Sequence, residues 1–310
     1  MGTAAIGRPQ YINLRQEMAD DFSINAFRKH GKLVLDEAYR KGIRYFDTAP
    51  GYGLAEQLLI DWIEEKRYKD VEIATKWGYT YVANFNPKAI IHEVKEHSLE
   101  KLNQQWEQSK SLLPYLTSYQ IHSATFKSGI FENTEALDRL GKLKSEYGLL
   151  IGLTTSGANQ SEVIKKSLDI ERDGEALFDV FQVTYNILDQ SLAQIGKVLI
   201  AQKKRIVIKE ALANGRIFTN LQFPHYANLY GELQLLAAKY KVGTDAIALR
   251  FCMESIKPFM VLSGASNERH ITENLKATQF KLEEQELSGL QQLSISPDQY
   301  WQERKQLGWN

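Results

Sequence analysis

Cysteine is almost missing from this chain: Cys252 is alone among 310 residues, so no intramolecular disulfide can form. One Cys and six scattered His give no cluster at metal-ligand spacing, which excludes a structural zinc site and leaves no metal expected. Flanked by Leu249 and Phe251, Cys252 reads as a buried core thiol. Proline is scarce, with 7 residues, and no Pro/Gly/Ser-rich linker or low-complexity tract divides the sequence. Net charge is absent as well, because 38 Lys and Arg balance 38 Asp and Glu. That balance excludes a general nucleic-acid binder, whose affinity rests on an excess of cations. No run of about 18 apolar residues suggests a membrane span. The start, Met1 to Arg8, lacks the apolar stretch of a secretory signal, so a cytoplasmic protein is expected.

What is present is a 43% hydrophobic, 25% charged composition, enough for a sizeable core. Short β-rich runs alternate with stretches of helical apolar spacing. The strand candidates are Thr3 to Ile6, Ile43 to Thr48, Val71 to Lys76, Thr117 to His122, Leu149 to Thr154, Phe178 to Thr184, Arg205 to Lys209 and Phe259 to Ser263. Helical faces are marked by Leu54, Leu58, Leu59, Trp62 and Ile63, and by Ile90, Ile91 and Val94 with Leu99, Leu102 and Trp106. Two more follow at Leu192, Ile195, Val198 and Leu199, and at Leu229, Leu233, Leu236 and Tyr240. Eight strands in alternation predict an α/β chain folded as a single (β/α)8 TIM barrel over residues 1–310. After Phe280, Leu282, Leu287, Leu290 and Leu293 read as an appended C-terminal helix.

Barrel enzymes place their chemistry where strands end. Asp47, Lys76 and His122 close the second, third and fourth candidates, and a Pro/Gly turn after Asp47 carries Tyr52 over the same mouth. A tyrosine with an ordinary pKa near 10 needs a neighbouring cation to exchange protons at neutrality, and a buried Lys76 beside Asp47 supplies one. His122 then hydrogen-bonds a carbonyl oxygen. Taken singly, each residue has a bland reading as a turn cap, surface charge or core histidine; their convergence favours chemistry.

The sequence resembles the aldo-keto reductase superfamily. The matching segments are YFDTAPGYG at Tyr45 to Gly53, ATKWG at Ala74 to Gly78, YQIH ending at His122 and IGLT ending at Thr154. They continue with FQVTYN around Gln182, ALANG at Ala211 to Gly215, and GAS at Gly264 to Ser266 followed by Glu273-Asn274. The resemblance implies a catalytic tetrad of Asp47, Tyr52, Lys76 and His122, with Tyr52 the general acid in hydride transfer from a nicotinamide cofactor to an aldehyde or ketone. It implies nicotinamide contacts from Thr154, Thr155 and Gln182, where relatives commonly have a Ser-Asn pair. It puts Lys209 where many relatives stack a tyrosine; otherwise Lys209 is a strand-end charge paired with Glu210. Ala211, Leu212 and Gly215 correspond to a loop near the pyrophosphate. Gly264, Ser266, Asn267, Arg269, Glu273 and Asn274 correspond to the adenosine end, at a helix N-terminus that suits anions.

With Arg269 available to a 2′-phosphate, NADP is the expected cofactor and NAD the alternative. The substrate is expected to be a small carbonyl compound or sugar, in a pocket walled by Trp77, Tyr79, Phe126, Tyr300, Trp301 and Trp309. The alternatives are an aldose or alcohol dehydrogenase, and a cofactor-bound regulatory subunit, which a partner-binding extension before the first strand would signal. The oligomeric state is left open.

Overall fold

The computed structural model describes residues 1–10, 14, 23–86 and 88–309. Its strands in chain order are β1 (Tyr45–Asp47), β2 (Glu72–Trp77), β3 (Tyr79–Tyr81), β4 (Glu93–Lys95), β5 (Leu116–Ala124), β6 (Leu150–Thr155), β7 (Glu171–Arg172), β8 (Glu175–Ala176), β9 (Val180–Thr184), β10 (Arg205–Lys209) and β11 (Met260–Val261). The α-helices are α1 (Ala4–Gly7), α2 (Ile24–Arg40), α3 (Ala55–Lys66), α4 (Leu99–Ser109), α5 (Thr134–Tyr147), α6 (Gln160–Leu168), α7 (Ala193–Ala201), α8 (Ala227–Tyr240), α9 (Thr244–Ser255), α10 (Glu268–Leu275), α11 (Glu284–Gln291) and α12 (Pro297–Gln306).

Seven strands form one parallel sheet in the order β1-β2-β5-β6-β9-β10-β11. They are short and apolar, and β1 and β9 are buried along their whole length, as parallel strands packed on both faces must be. The eighth stave is the N-terminal segment: Asp47 N–H donates to Met1 O at 2.8 Å, Thr3 N–H to Asp47 O at 2.9 Å, and Gly2 N–H to Ser263 O at 2.9 Å. Those bonds join β1 to the segment following β11 and close the (β/α)8 barrel.

The strand expected at Thr3 to Ile6 is therefore corrected. Only Gly2 forms a bridge, to Asp47, and Ala4–Gly7 turns into one helical turn. Close packing explains the turn: a Cβ on Gly7 would sit 2.2 Å from Tyr52 O and 2.5 Å from Ala55 Cβ, so the backbone here presses directly on α3. The turn delivers Arg8 to the barrel mouth. The last expected strand, Phe259 to Ser263, shortens to Met260–Val261, with Phe259 on the surface.

Helix α3 buries Leu58, Leu59, Trp62 and Ile63, as its spacing requires. The face assigned to Ile90, Ile91 and Val94 does not exist: all three are exposed, and Glu93–Lys95 pairs antiparallel with Tyr79–Tyr81. Period-two geometry wins there because the polar residues have inward partners. Glu93 meets Arg8 at 2.8 Å and Lys95 Nζ donates to Ser123 O at 2.6 Å, leaving Val94 on the outside.

The C-terminal tail forms α11, whose Leu290 is buried, and then α12, which buries Tyr300 and Trp301. Cys252 is fully buried with Sγ 3.3 Å from Tyr185 O, and burial pushes its thiol pKa up. Among the described residues no helix is long and apolar enough to cross a membrane.

Candidate active site

The floor of the barrel mouth is an ion pair. Asp47 ends β1 and Lys76 lies one residue from the end of β2, on neighbouring strands in register, so their side chains meet inside the barrel. Lys76 Nζ is 2.7 Å from Asp47 Oδ2 and donates also to Thr48 O at 2.9 Å. Gln182 Nε2, from β9 across the barrel, donates to Asp47 Oδ1 at 2.6 Å. Gln182 thus fixes the second carboxylate oxygen, a role the sequence did not reveal.

Tyr52 ends a short 3-10 turn, Pro50–Tyr52, started by a proline whose φ suits such a turn. Gly53 follows with φ +65°, and a Cβ on it would stand 2.6 Å from Gly7 O, so only glycine fits this reversal. The Tyr52 ring lies 4.8 Å from Lys76 Nζ and 5.5 Å from the His122 ring, nearly perpendicular to it at 87°. His122 reaches the mouth because β5 is irregular there: the register shifts between Ile121 and Ala124, and Ser123 has φ +57°. The tetrad residues expected from the sequence are therefore brought together.

Their electrostatics differ from the expectation in one respect. Burial, and then the Asp47 charge, raise the Tyr52 pKa well above 10. Asp47 already neutralises Lys76, so the lysine does not pull the phenol down. Burial, followed by Lys76, Arg8, His97 and Lys209, drives His122 well below its ordinary value, and its imidazole is neutral. His122 Nδ1 has no hydrogen-bond partner among the described residues.

Above this floor is a cavity of about 60 Å³ lined by Arg8, Tyr52, Tyr79, Glu93, His122, Ser123, Thr154, Ser156, Gln182, Lys209, Glu210, Arg304 and Trp309. Its rim is built of ion pairs. Arg8 is buried, bonded through Nη1 to Gly51 O and Glu93 Oε2 at 2.8 Å each, with its guanidinium 5.0 Å from the Trp309 ring. Arg304, on α12, bonds Glu210 Oε1 through Nε at 2.9 Å and Nη2 at 2.6 Å. Glu210 has φ +56°, a strained conformation for this residue type that turns it toward the mouth. Burial favours its neutral form, but Arg304 and Lys209 prevail and hold its carboxyl at about 2.

Arg8, Glu93 and Arg304 were not anticipated. Arg8 and Glu93 lie in segments read as strand and helix, and Arg304 meets Glu210 across 94 positions of sequence.

Of the expected aromatic walls, Tyr79 and Trp309 line the cavity. The others are corrected. Trp77 is fully buried against His97, Phe126 is exposed beside Phe131, Tyr300 OH accepts from Asn186, and Trp301 Nε1 donates to Asp189 Oδ2. These side chains pack the barrel and seat α12.

The cofactor candidates fall into two groups. At the mouth, Thr154 lines the cavity and its Oγ1 accepts from Ser123 N at 2.7 Å, whereas Thr155 turns away to donate to Gln160 Oε1. Lys209 Nζ donates to Thr184 Oγ1 at 2.8 Å and lies 4.0 Å from Glu210 Oε1, so that carboxylate serves mainly Arg304. In the following loop Ala211 is buried, Leu212 packs against the core, and Gly215 abuts Leu14.

The second group lies beyond β11. Gly264 leads to Ser266, whose Oγ meets His270 Nδ1 at 3.2 Å, and Asn267 caps α10 by accepting from His270 N at 2.8 Å. Asn274 Nδ2 donates to Ser263 Oγ at 2.8 Å. An open groove of about 480 Å³ is lined by Asn267, Glu268, Arg269, Thr272 and Glu273.

Comparisons with known proteins agree with this geometry. The model of the aldo/keto reductase family matches residues 1–295. The chain is 26% identical over 291 residues to the uncharacterized oxidoreductase YqkF of Bacillus subtilis (strain 168), covering 87% of this chain and 89% of the relative. It is 23% identical over 296 residues to an NADH-specific methylglyoxal reductase of Escherichia coli (strain K12), covering 83% and 85%. In fold it is similar to a glycerol dehydrogenase from Gluconobacter oxydans, with a TM-score of 0.70 and 18% identity, covering 94% of this chain and 90% of the other. With the family model spanning nearly the whole chain and an Asp-Lys pair, a tyrosine and a histidine converging at the barrel mouth, the chain belongs to the aldo/keto reductase family of nicotinamide-dependent oxidoreductases.

Proposed function

We propose that this protein reduces a small, polar aldehyde or ketone with a reduced nicotinamide cofactor, as one catalytic unit over residues 1–310. The observation that carries the reading is the buried Tyr52 beside His122, above the Lys76–Asp47 pair and open to a cavity whose walls are charged rather than greasy. A phenol whose pKa is raised holds its proton at neutral pH, which suits the acid of a reduction better than the base of an alcohol oxidation.

The bound cofactor supplies a hydride. Tyr52 donates its phenolic proton to the carbonyl oxygen as negative charge builds there, and the neutral His122 imidazole hydrogen-bonds the same oxygen. The Lys76 ammonium stays in place as the proton leaves, and its attraction for the phenolate offsets part of the burial cost. Asp47, fixed by Gln182, holds that ammonium in position.

Residues of both groups fit a dinucleotide. Thr154 and Gln182 offer polar atoms at the mouth, and the open groove at the start of α10 offers Asn267 and Arg269, with Gly264, Ser266 and Asn274 beside it and the Ala211-Leu212-Gly215 loop between. NADPH would depend on Arg269 for its 2′-phosphate. Glu268 and Glu273 line the same groove and outnumber that cation, and this acidic majority favours NADH. Fluorescence titration with each cofactor, followed by assay on small carbonyl compounds, tests the reading. Quenching by NADH and turnover of a hydroxylated aldehyde support it; failure to bind either cofactor contradicts it.

A further inference from the structure

The cavity charges do not cancel. Arg8, Lys209 and Arg304 face Glu93 and Glu210, three cations against two carboxylates. Glu93 is taken by Arg8 at 2.8 Å and Glu210 by Arg304 at 2.6 Å. Lys209 Nζ has a neutral hydroxyl at 2.8 Å and its nearest carboxylate at 4.0 Å. The excess positive charge of the cavity therefore rests on Lys209, in a recess with little water to screen it.

We propose that Lys209 is a specificity-determining residue that binds a carboxylate on the substrate, making the site selective for small carbonyl compounds that carry a negative charge. The proposal rests on the reductase reading and names its substrate class. Lysine suits the role because its compact ammonium can engage Thr184 and a carboxylate oxygen together. The small volume limits the molecule to a few carbons between carbonyl and carboxylate.

Burial lowers the Lys209 pKa to about 8, with Glu210 opposing the shift. The groups acting on it are Glu210 beside it, Arg304 from α12, Asp189 after β9 and Lys76 from β2. The preference should therefore be full near pH 6.5 and fade above about pH 8.

The test compares kcat/KM for 4-oxobutanoate and butanal, and for glyoxylate and acetaldehyde, in the wild type, Lys209→Met and Lys209→Arg. At least one carboxylate substrate should exceed its neutral partner by about tenfold or more, mainly through KM. Lys209→Met should remove that ratio and Lys209→Arg should restore part of it. Equal values in the wild type, or an unchanged ratio in Lys209→Met, overturn the proposal, as does a variant that alters only NADH affinity. Tryptophan fluorescence gives a readout without turnover, because Trp309 lines the cavity. Butanoate but not butanol should bind the wild type, and neither should bind Lys209→Met. Binding without reduction of any aldehyde would keep the carboxylate site and remove the reductase reading; reduction without carboxylate preference would do the reverse.

Discussion

Lys76 Nζ lies 2.7 Å from Asp47 Oδ2, and both side chains are closed off from solvent at the floor of the barrel. A pair this deep is costly to break, because removing one partner leaves the other charge buried and unpaired. Lys76→Met should lower unfolding free energy by about 3–5 kcal/mol in urea titration, with Gln182 alone left on Asp47. A loss below about 1 kcal/mol would mean that Asp47 is protonated or hydrated in the folded state.

Glu56 gives a pH signature. It is buried between Thr75 and Ser109, whose hydroxyls bond its Oε1 at 2.5 and 2.8 Å, and burial raises its pKa from 4.5 to about 7 despite those bonds. Between these values the unfolded chain loses the proton while the folded protein keeps it, so stability falls as pH rises from 4.5 through 7. The loss above pH 7 is on the order of 3 kcal/mol. Glu56→Gln should remove this slope, leaving the variant more stable than the wild type at pH 8 and little changed at pH 4. Parallel slopes in thermal melts of the two proteins would contradict the assignment.

His122 should stay neutral through the working range. Burial and the surrounding cations hold it well below 6.5, so kcat/KM should show no histidine inflection between about pH 5.5 and 7.5. The profile should be flat in the Glu56→Gln background as well. An inflection near 6.5 that vanishes in His122→Gln would show that the imidazole titrates.

The Glu210–Arg304 contact ties α12 to the mouth. Arg304→Met leaves the Glu210 carboxylate with Lys209 at 4.0 Å, and a stability loss on the order of 2–3 kcal/mol is expected by urea titration. Glu210 is held at about 2, so this contribution is full above pH 4.5 and is lost as pH falls toward 2. The variant should show a shallower acid limb and faster proteolysis after Gln291. An unchanged limb would sever α12 from the electrostatics of the site.

The floor of the site was legible because its residues sit on strands whose apolar runs are unambiguous. Asp47 and Lys76 close β1 and β2, and parallel register alone brings them together. The rim was not legible. Glu93 alternates inward on β4 because Arg8 waits there, and Arg8 is there because Gly7 lets a helical turn replace a strand; neither cause is local. The tail aromatics Tyr300 and Trp301 resembled a substrate wall but satisfy the buried Asn186 and Asp189 instead, partners more than 100 positions away. His122 owes its aim to a bulge that no periodicity announces.

The central claim is that Tyr52 supplies the proton. The most direct measurement is single-turnover oxidation of NADH by the wild type and by Tyr52→Phe with a saturating small aldehyde, alongside NADH binding by fluorescence. The account predicts a rate loss on the order of 10²–10⁴ with NADH affinity within about twofold of the wild type. A variant that reduces the aldehyde within about tenfold of the wild-type rate would contradict it, because another donor would then be delivering the proton.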